Sequence, residues 1–297
     1  MRGLTTRYEL LRPHSLVEAL AMRAAEGPAL KPFAGGTDLM VSLEAGTLKD
    51  RRFLDLSRLA ELRQVSLDGD QLVIGAMVTY TQLARHPLVI RNFPNIVQAA
   101  VLTGARAIQN RGTLGGNIAN ASPAADTPPA LLTYDAEIEL GSVRGRRRLP
   151  YCEFHTGYKQ TLMGPDEIIT AIVISTARQG TLRHGYVKVG TRSAQAISKV
   201  VFSASGSFDG GVCHSVRLAF GSVAPKVLRA QAAEDLLLGK VWTVDLVNEA
   251  VLTIAATLSP IDDIRSSAAY RLGVSSNVAA RVLSQWARQG ANSVGLD

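Results

Sequence analysis

Two glycine doublets about eighty residues apart carry the residue types best suited to holding an anion. One is Ala34-Gly35-Gly36-Thr37-Asp38-Leu39-Met40; the other is Thr113-Leu114-Gly115-Gly116-Asn117, continued by Asn120, Ser122 and Asp126. A Gly-Gly step has no Cβ, so its backbone can pass through positive φ and offer successive N–H groups to a phosphate. Two such loops brought together would clasp the diphosphate of a dinucleotide from opposite sides. Neither has the spacing of a Rossmann turn, and the chain has no phosphate loop ending in Gly-Lys-Ser/Thr. A lone Gly-Gly pair is more often an ordinary turn. The pairing of the two doublets, with the long polar tail of the second, is what points to a ligand.

The elements that must position these loops follow from pattern. Ser15 and Glu18 start a helix whose face is Leu16, Leu20, Met22 and Ala24, and Gly27 closes it. Ala29 to Phe33 is a short buried strand entering the first glycine loop, Asp38 onward is helical, and Arg51 to Ser57 is a further strand. These make a β-α-β lobe over residues 1–57. A second lobe over 58–177 starts with a hairpin turned on Asp68-Gly69-Asp70, continued into a helix capped by Thr79 or Thr81. A helix around Pro94 to Thr103 precedes the second loop. A proline-started helix at Pro128-Pro129, a hairpin, and a strand ending near Ser175 complete the lobe. Thr176 to Gly185 is polar and reads as a linker. Beyond it, over 182–290, strands give way to helices at Val227–Leu238, Val244–Leu258 and Val274–Trp286, an α+β layer.

Three stretches together resemble one family: Ala34 to Met40, Asn110 to Leu132, and Tyr158 to Ile174. They are similar to the FAD-binding medium subunit of the molybdenum hydroxylases, the group of the xanthine dehydrogenases and carbon monoxide dehydrogenases. The resemblance runs from about Tyr8 to about Gln285. It implies a two-lobed FAD-binding domain of the vanillyl-alcohol-oxidase (PCMH) type, followed by an α+β domain of the carbon monoxide dehydrogenase flavoprotein C-terminal type with an antiparallel sheet. Gly35-Gly36-Thr37-Asp38 resembles the xanthine dehydrogenase branch more than the other.

The resemblance also assigns residues. Lys31, Pro32, Phe33, Ala34, Gly35, Gly36, Thr37, Asp38 and Leu39 would contact FAD. Thr113, Gly115, Gly116 and Asn117 match the diphosphate step, and Asn120, Ser122 and Asp126 its continuation over the cofactor. Leu162 and Met163 would lie against the flavin and adenine region. Thr103 stands where animal xanthine dehydrogenases stack an aromatic on the adenine, which implies looser adenine binding here. Lys188 corresponds to a lysine near the isoalloxazine; on residue type alone it is an exposed strand residue. Asp38 is equally a local helix cap. Asp126 suits ribose or ribityl hydroxyls because a carboxylate accepts two hydrogen bonds, and it is otherwise an N-cap for the helix opened by Pro128.

The remaining chemistry is sparse. Cys152 and Cys213 are far apart and lack the clustering of a metal or disulfide framework. The five histidines are scattered, and no carboxylate pair is spaced for acid–base work. A bound flavin would be the reactive group. The resemblance implies as partners a large subunit carrying the molybdenum cofactor and a small one carrying two two-iron, two-sulfur clusters, in a dimer of heterotrimers. NAD, oxygen, a quinone or a cytochrome would be the external acceptor. The net charge of +7 comes without the interleaved aromatics of a single-strand nucleic-acid binder. Its densest run, Arg144 to Arg148, reads as a charged hairpin edge or a docking surface for an acidic partner. No apolar run reaches the roughly 20 residues of a membrane span, and no signal-peptide core precedes Tyr8, so a cytoplasmic location is expected.

Overall fold

The computed structural model describes residues 7–177, 181–192 and 195–294. Its first lobe holds β1 (Glu9–Leu11), α1 (Leu16–Glu26), β2 (Leu30–Phe33), α2 (Thr37–Glu44) and β3 (Arg52–Asp55). The three strands are parallel, in the order β1-β3-β2. Ser15 Oγ accepts the Glu18 N–H at 3.1 Å, and Gly27, at φ 57°, ends α1 as expected. The buried face of α1 differs from the apolar reading: Leu16, Ala19 and Arg23 are buried, whereas Leu20 and Met22 are only half so. Arg23 can be buried because its guanidinium donates to the carbonyls of Gly27 and Leu30, the latter at 2.7 Å. Strand β2 buries Leu30 alone, short of the buried strand expected.

The second lobe comprises β4 (Val65–Asp68), β5 (Gln71–Gly75), α3 (Tyr80–Arg85), α4 (Pro87–Asn92), α5 (Pro94–Leu102), α6 (Arg106–Arg111), α7 (Leu114–Asn120), α8 (Thr127–Leu132), β6 (Glu137–Ser142), β7 (Gly145–Pro150), α9 (Tyr151–Phe154), β8 (His155–Gly157), β9 (Gln160–Thr161) and β10 (Ile168–Ser175). Five strands form an antiparallel sheet in the order β4-β5-β10-β6-β7. Thr79 caps α3 through a reciprocal box with Gln82. Four short helices escaped the sequence pattern, α4, α6, α7 and α9, because elements of four to seven residues show too little periodicity. Edge strand β7 and the turn before it carry the arginine run, and each guanidinium has a carboxylate: Arg144 with Asp166, Arg146 and Arg148 with Glu139, Arg147 with Glu167. The run is thus a paired, charged edge.

The C-terminal part holds β11 (Thr181–Val189), β12 (Val200–Asp209), β13 (Val212–Gly221), β14 (Leu228–Arg229), α10 (Gln231–Leu237), α11 (Val244–Thr257) and α12 (Ala268–Val294). The strands form an antiparallel sheet in chain order. Three boundaries move. Thr181 to Gly185, read as linker, belongs to β11, while 178–180 lie outside the described residues. The helix expected from Val227 starts at Gln231, because Leu228 and Arg229 pair with Phe220 and Ala219. Helix α12 is longer at both ends than Val274–Trp286.

A buried polar seam joins this sheet to the second lobe. Asn95 Nδ2 donates to Ser203 Oγ at 3.1 Å and to the Ala204 carbonyl at 2.8 Å, and Thr133 and Ser203 share a hydroxyl contact of 3.1 Å. Among the described residues, no helix is long and apolar enough to cross a membrane.

Candidate functional site

The first glycine motif is the turn from β2 into α2. Gly36, at φ 76°, is the N-cap, and having no side chain it leaves the first-turn N–H groups of α2 without a side-chain cap. The backbone donors and the positive end of the helix dipole coincide there. Asp38 is therefore not the cap that residue type allowed; it lies exposed within the first turn.

The second motif is built differently. Its doublet lies inside α7, with Thr113 as N-cap, and neither glycine has positive φ. Both N–H groups are engaged, Gly115 with the Ala76 carbonyl at 2.8 Å and Gly116 with Thr113 Oγ1 at 3.2 Å. The expected row of free donors is thus found only in the first motif. What the second doublet supplies is closeness. A Cβ on Gly115 would lie 2.6 Å from Ala76 Cβ, and one on Gly116 would lie 2.8 Å from Thr113 Oγ1 and 3.3 Å from Ala34 Cβ. Across the same seam, a Cβ on Gly35 would sit 2.0 Å from the Arg111 carbonyl oxygen. The two motifs, distant in sequence, are packed backbone to backbone.

Downstream of α7, Ala121 turns the chain at φ 47° and Ser122 Oγ accepts the Ala124 N–H at 3.3 Å. Asn117 Oδ1 accepts the Thr127 hydroxyl at 2.7 Å, tying α7 to α8, while Asn120 lies half-buried at the end of α7. Asp126 is buried and fully engaged: Oδ2 accepts from Lys188 Nζ at 2.7 Å and Oδ1 from Ser198 Oγ at 2.6 Å. It is the first residue ahead of α8, but no side-chain cap bond comes from it. Lys188 is not the exposed strand residue its type suggested. Its side chain is 6% exposed, and Nζ also donates to the Leu102 carbonyl at 2.8 Å. Burial raises the Asp126 pKa, while the Lys188 ammonium and Ser198 hydroxyl oppose that rise. Thr103 ends α5 with its hydroxyl on the Ala99 carbonyl at 2.7 Å. Thr103, Asp126 and Lys188 thus converge between the second lobe and β11.

Known proteins match this arrangement over nearly its whole length. Residues 6–176 fit the model of the FAD binding domain in molybdopterin dehydrogenase, and 185–286 that of the CO dehydrogenase flavoprotein C-terminal domain. The chain belongs to the FAD-binding medium subunits of the molybdenum hydroxylases. The carbon monoxide dehydrogenase medium chain of Hydrogenophaga pseudoflava is 32% identical over 95% of this chain and 98% of its own. A putative xanthine dehydrogenase FAD-binding subunit of Escherichia coli K12 is 33% identical over 92% and 94%. Among solved structures, the Hydrogenophaga pseudoflava carbon monoxide dehydrogenase lacking the Mo-pyranopterin moiety superposes with a TM-score of 0.90 at 30% identity, covering 94% of this chain and 96% of that one. Quinoline 2-oxidoreductase from Pseudomonas putida 86 gives 0.87 at 27%, covering 95% and 98%. Identities of 32% and 33% do not separate the xanthine dehydrogenase branch, towards which the first motif leans, from the carbon monoxide dehydrogenase branch.

As a member of this oxidoreductase family the chain takes FAD, and its residues fit that group. A seam that a single Cβ would fill, next to an uncapped helix N-terminus, suits a diphosphate that needs close backbone approach. Lys31, Pro32, Phe33, Ala34, Thr37 and Leu39 flank it on β2 and α2, Lys31 exposed and the others half-buried. Leu162 and Met163 follow β9, Leu162 45% exposed and Met163 packed against the second-lobe core. Residues that residue type did not flag hold these in place: Ala76, whose N–H donates to the Thr170 carbonyl at 3.0 Å, and Ser198 and Tyr186, which bind Asp126. The small Gly75-Ala76 pair at the end of β5 was the available signal, since a Cβ on Gly75 would lie 2.3 Å from the Leu62 carbonyl oxygen.

His155 anchors the β8–β9 hairpin to α7, its Nε2 lying 2.9 Å from the Ile118 carbonyl oxygen, so Nε2 carries the proton. Burial holds its pKa below the ordinary value, outweighing that hydrogen bond. The unfolded chain therefore takes up the proton first. Stability is full above about pH 6.5 and declines as pH falls below it towards the folded-state pKa. A Tm series across that range should show the decline, and His155→Gln, which keeps an N–H donor, should flatten it. An unaltered pH profile in the variant would remove His155 as the cause.

Proposed function

We propose that the chain is the FAD-carrying electron-transfer subunit of a heterotrimeric, xanthine-dehydrogenase-like molybdenum hydroxylase. It takes electrons from a small subunit with two two-iron, two-sulfur clusters and passes them to an external acceptor: NAD, oxygen, a quinone or a cytochrome. A large subunit holds the molybdenum cofactor, and the complex is a dimer of heterotrimers in the cytoplasm. The observation that carries this reading is the packing of Gly35 on Arg111, which joins two polar motifs into one glycine seam beside the uncapped N-terminus of α2. The near full-length match to proteins named as medium chains and subunits supports it. Bound FAD supplies the redox chemistry, accepting and releasing one or two electrons. The residues of the chain orient it: α2 and the seam hold the diphosphate, while Asn120, Ser122, Asp126 and Leu162-Met163 line its course. Residues 1–57, 58–177 and 182–290 form the two FAD-binding lobes and the C-terminal domain.

Purification from the native host, with acid release of the chromophore and mass analysis of accompanying chains, tests this reading. FAD with one large and one small iron–sulfur partner is the expected result. FAD on a lone chain that turns over a small substrate would replace it with a free-standing flavoprotein oxidoreductase of the same fold.

A further inference from the structure

A cavity of about 500 Å³ lies on the C-terminal part, lined by none of the residues of the glycine motifs. One side is β11 from Leu182 to Val187, and the other is α12 through Arg281, Gln285, Trp286 and Gln289. Side chains alternate between the faces of a strand, so a cavity on a sheet face would meet every second residue. Consecutive residues line this one, and it therefore runs along the edge of β11. The helical lining falls in two adjacent rows: Arg281, Gln285 and Gln289, four apart and exposed towards the trough, and Val282 and Trp286, which are buried against the sheet.

The edge is available. Strand β11 is nine residues long and pairs with β12, and among the described residues no strand pairs with its other side. Two other edge strands are protected. Strand β7 is covered by ion-paired arginines, and β14 has only two residues.

The charge of the trough is one-sided. Its lining includes Arg183 and Arg281 and no carboxylate, and among the described residues neither arginine has an acidic partner within ion-pair distance. The contrast with Arg144 to Arg148 is direct, since every guanidinium there is paired. Arg183 is held in place by donating to the Trp286 carbonyl and by lying 4.0 Å from the centroid of the Phe208 ring. A strand edge beside a helix is the geometry by which domains add an extended peptide as an extra strand, with backbone hydrogen bonds giving affinity and flanking side chains giving choice.

We propose that this trough receives an extended acidic segment of a partner subunit, which adds a strand to β11 with its carboxylates on Arg183 and Arg281. The proposal rests on the reading of the chain as one subunit of a larger complex. Hydrogen exchange along residues 182–187, compared between the purified complex and the isolated full-length chain, is the test. Alternate amides should exchange at least about tenfold more slowly in the complex. Arg281→Glu, at an exposed position, should weaken assembly by about tenfold, with a steeper salt dependence for the wild type. A photo-crosslinker at Gln289 should capture an acidic segment. Assembly with unchanged exchange along β11 and wild-type affinity in Arg281→Glu would overturn the proposal and leave the subunit reading intact. Inorganic phosphate protecting the α12 stripe in the isolated chain, with no strand protection in the complex, would make the trough a small-anion site and overturn it likewise. A chain that co-purifies with no subunit would overturn both.

Discussion

Gly35→Val should yield a chain that no longer retains FAD. The first added carbon would lie 2.0 Å from the Arg111 carbonyl oxygen and 3.0 Å from Gly112 Cα, so backbone must move against backbone. No side-chain rotation relieves such a contact. Overpacking of this kind costs about 1–3 kcal/mol, and the displacement falls on the seam that the diphosphate needs. Gly116→Val, on the facing wall beside Ala34, should have the same effect. Gly46→Ala is the control. That residue follows α2 at φ 69°, and a Cβ there would meet nothing within 4 Å, so only left-handed strain of about 1–2 kcal/mol applies. Flavin absorbance per folded chain, with circular dichroism to establish folding, decides the matter. Full flavin occupancy in folded Gly35→Val would refute the diphosphate assignment of the seam.

Lys188→Met should be among the most destabilising single substitutions in the chain. It leaves the Asp126 carboxylate buried with the Ser198 hydroxyl in place of a cation, and breaking a buried ion pair from one side costs about 3–5 kcal/mol. A fall in Tm on the order of 10 °C follows. Asp126→Asn combined with Lys188→Met should recover most of that loss, because removing both charges removes the desolvation that each imposes. The same set of variants tests the proposal that Lys188 tunes the flavin. The single variant leaves an uncompensated negative charge and should lower the flavin potential, whereas the double variant should return it close to the wild-type value. A double variant as unstable as Lys188→Met would show that packing of the lysine stem, rather than charge, governs the site.

Much of the fold was legible because its signals are local. Ser15, Thr79 and Pro94 start helices where side-chain chemistry says they should. The Asp68-Gly69-Asp70 turn and the alternation through β12 and β13 likewise need only neighbouring residues. Residue types mark out the candidate site but not the division of labour between its two motifs. Both doublets read alike as phosphate loops, yet the conformation of the second is set by Ala76 and Val78, residues of another segment that accept its N–H groups. Composition cannot show that a glycine is present for close approach instead of for positive φ. The burial of Lys188 is hidden from residue type for a similar reason. Its burial depends on Asp126, and a strand pattern carries no record of a partner 62 residues away.

The place of β10 sets an order of events during synthesis. This strand is the last of its sheet to leave the ribosome, yet it lies between β5 and β6, which have no other strand to join them. Its Thr170 carbonyl holds the Ala76 N–H, and the Ala76 carbonyl in turn holds Gly115. A nascent chain that stops short of β10 therefore has two open sheet edges and an unsupported second glycine motif. Cofactor loading consequently waits until β10, which ends at Ser175 of a 297-residue chain, has been made and placed. Until then, β5 and β6 are the surfaces that a chaperone would need to shield.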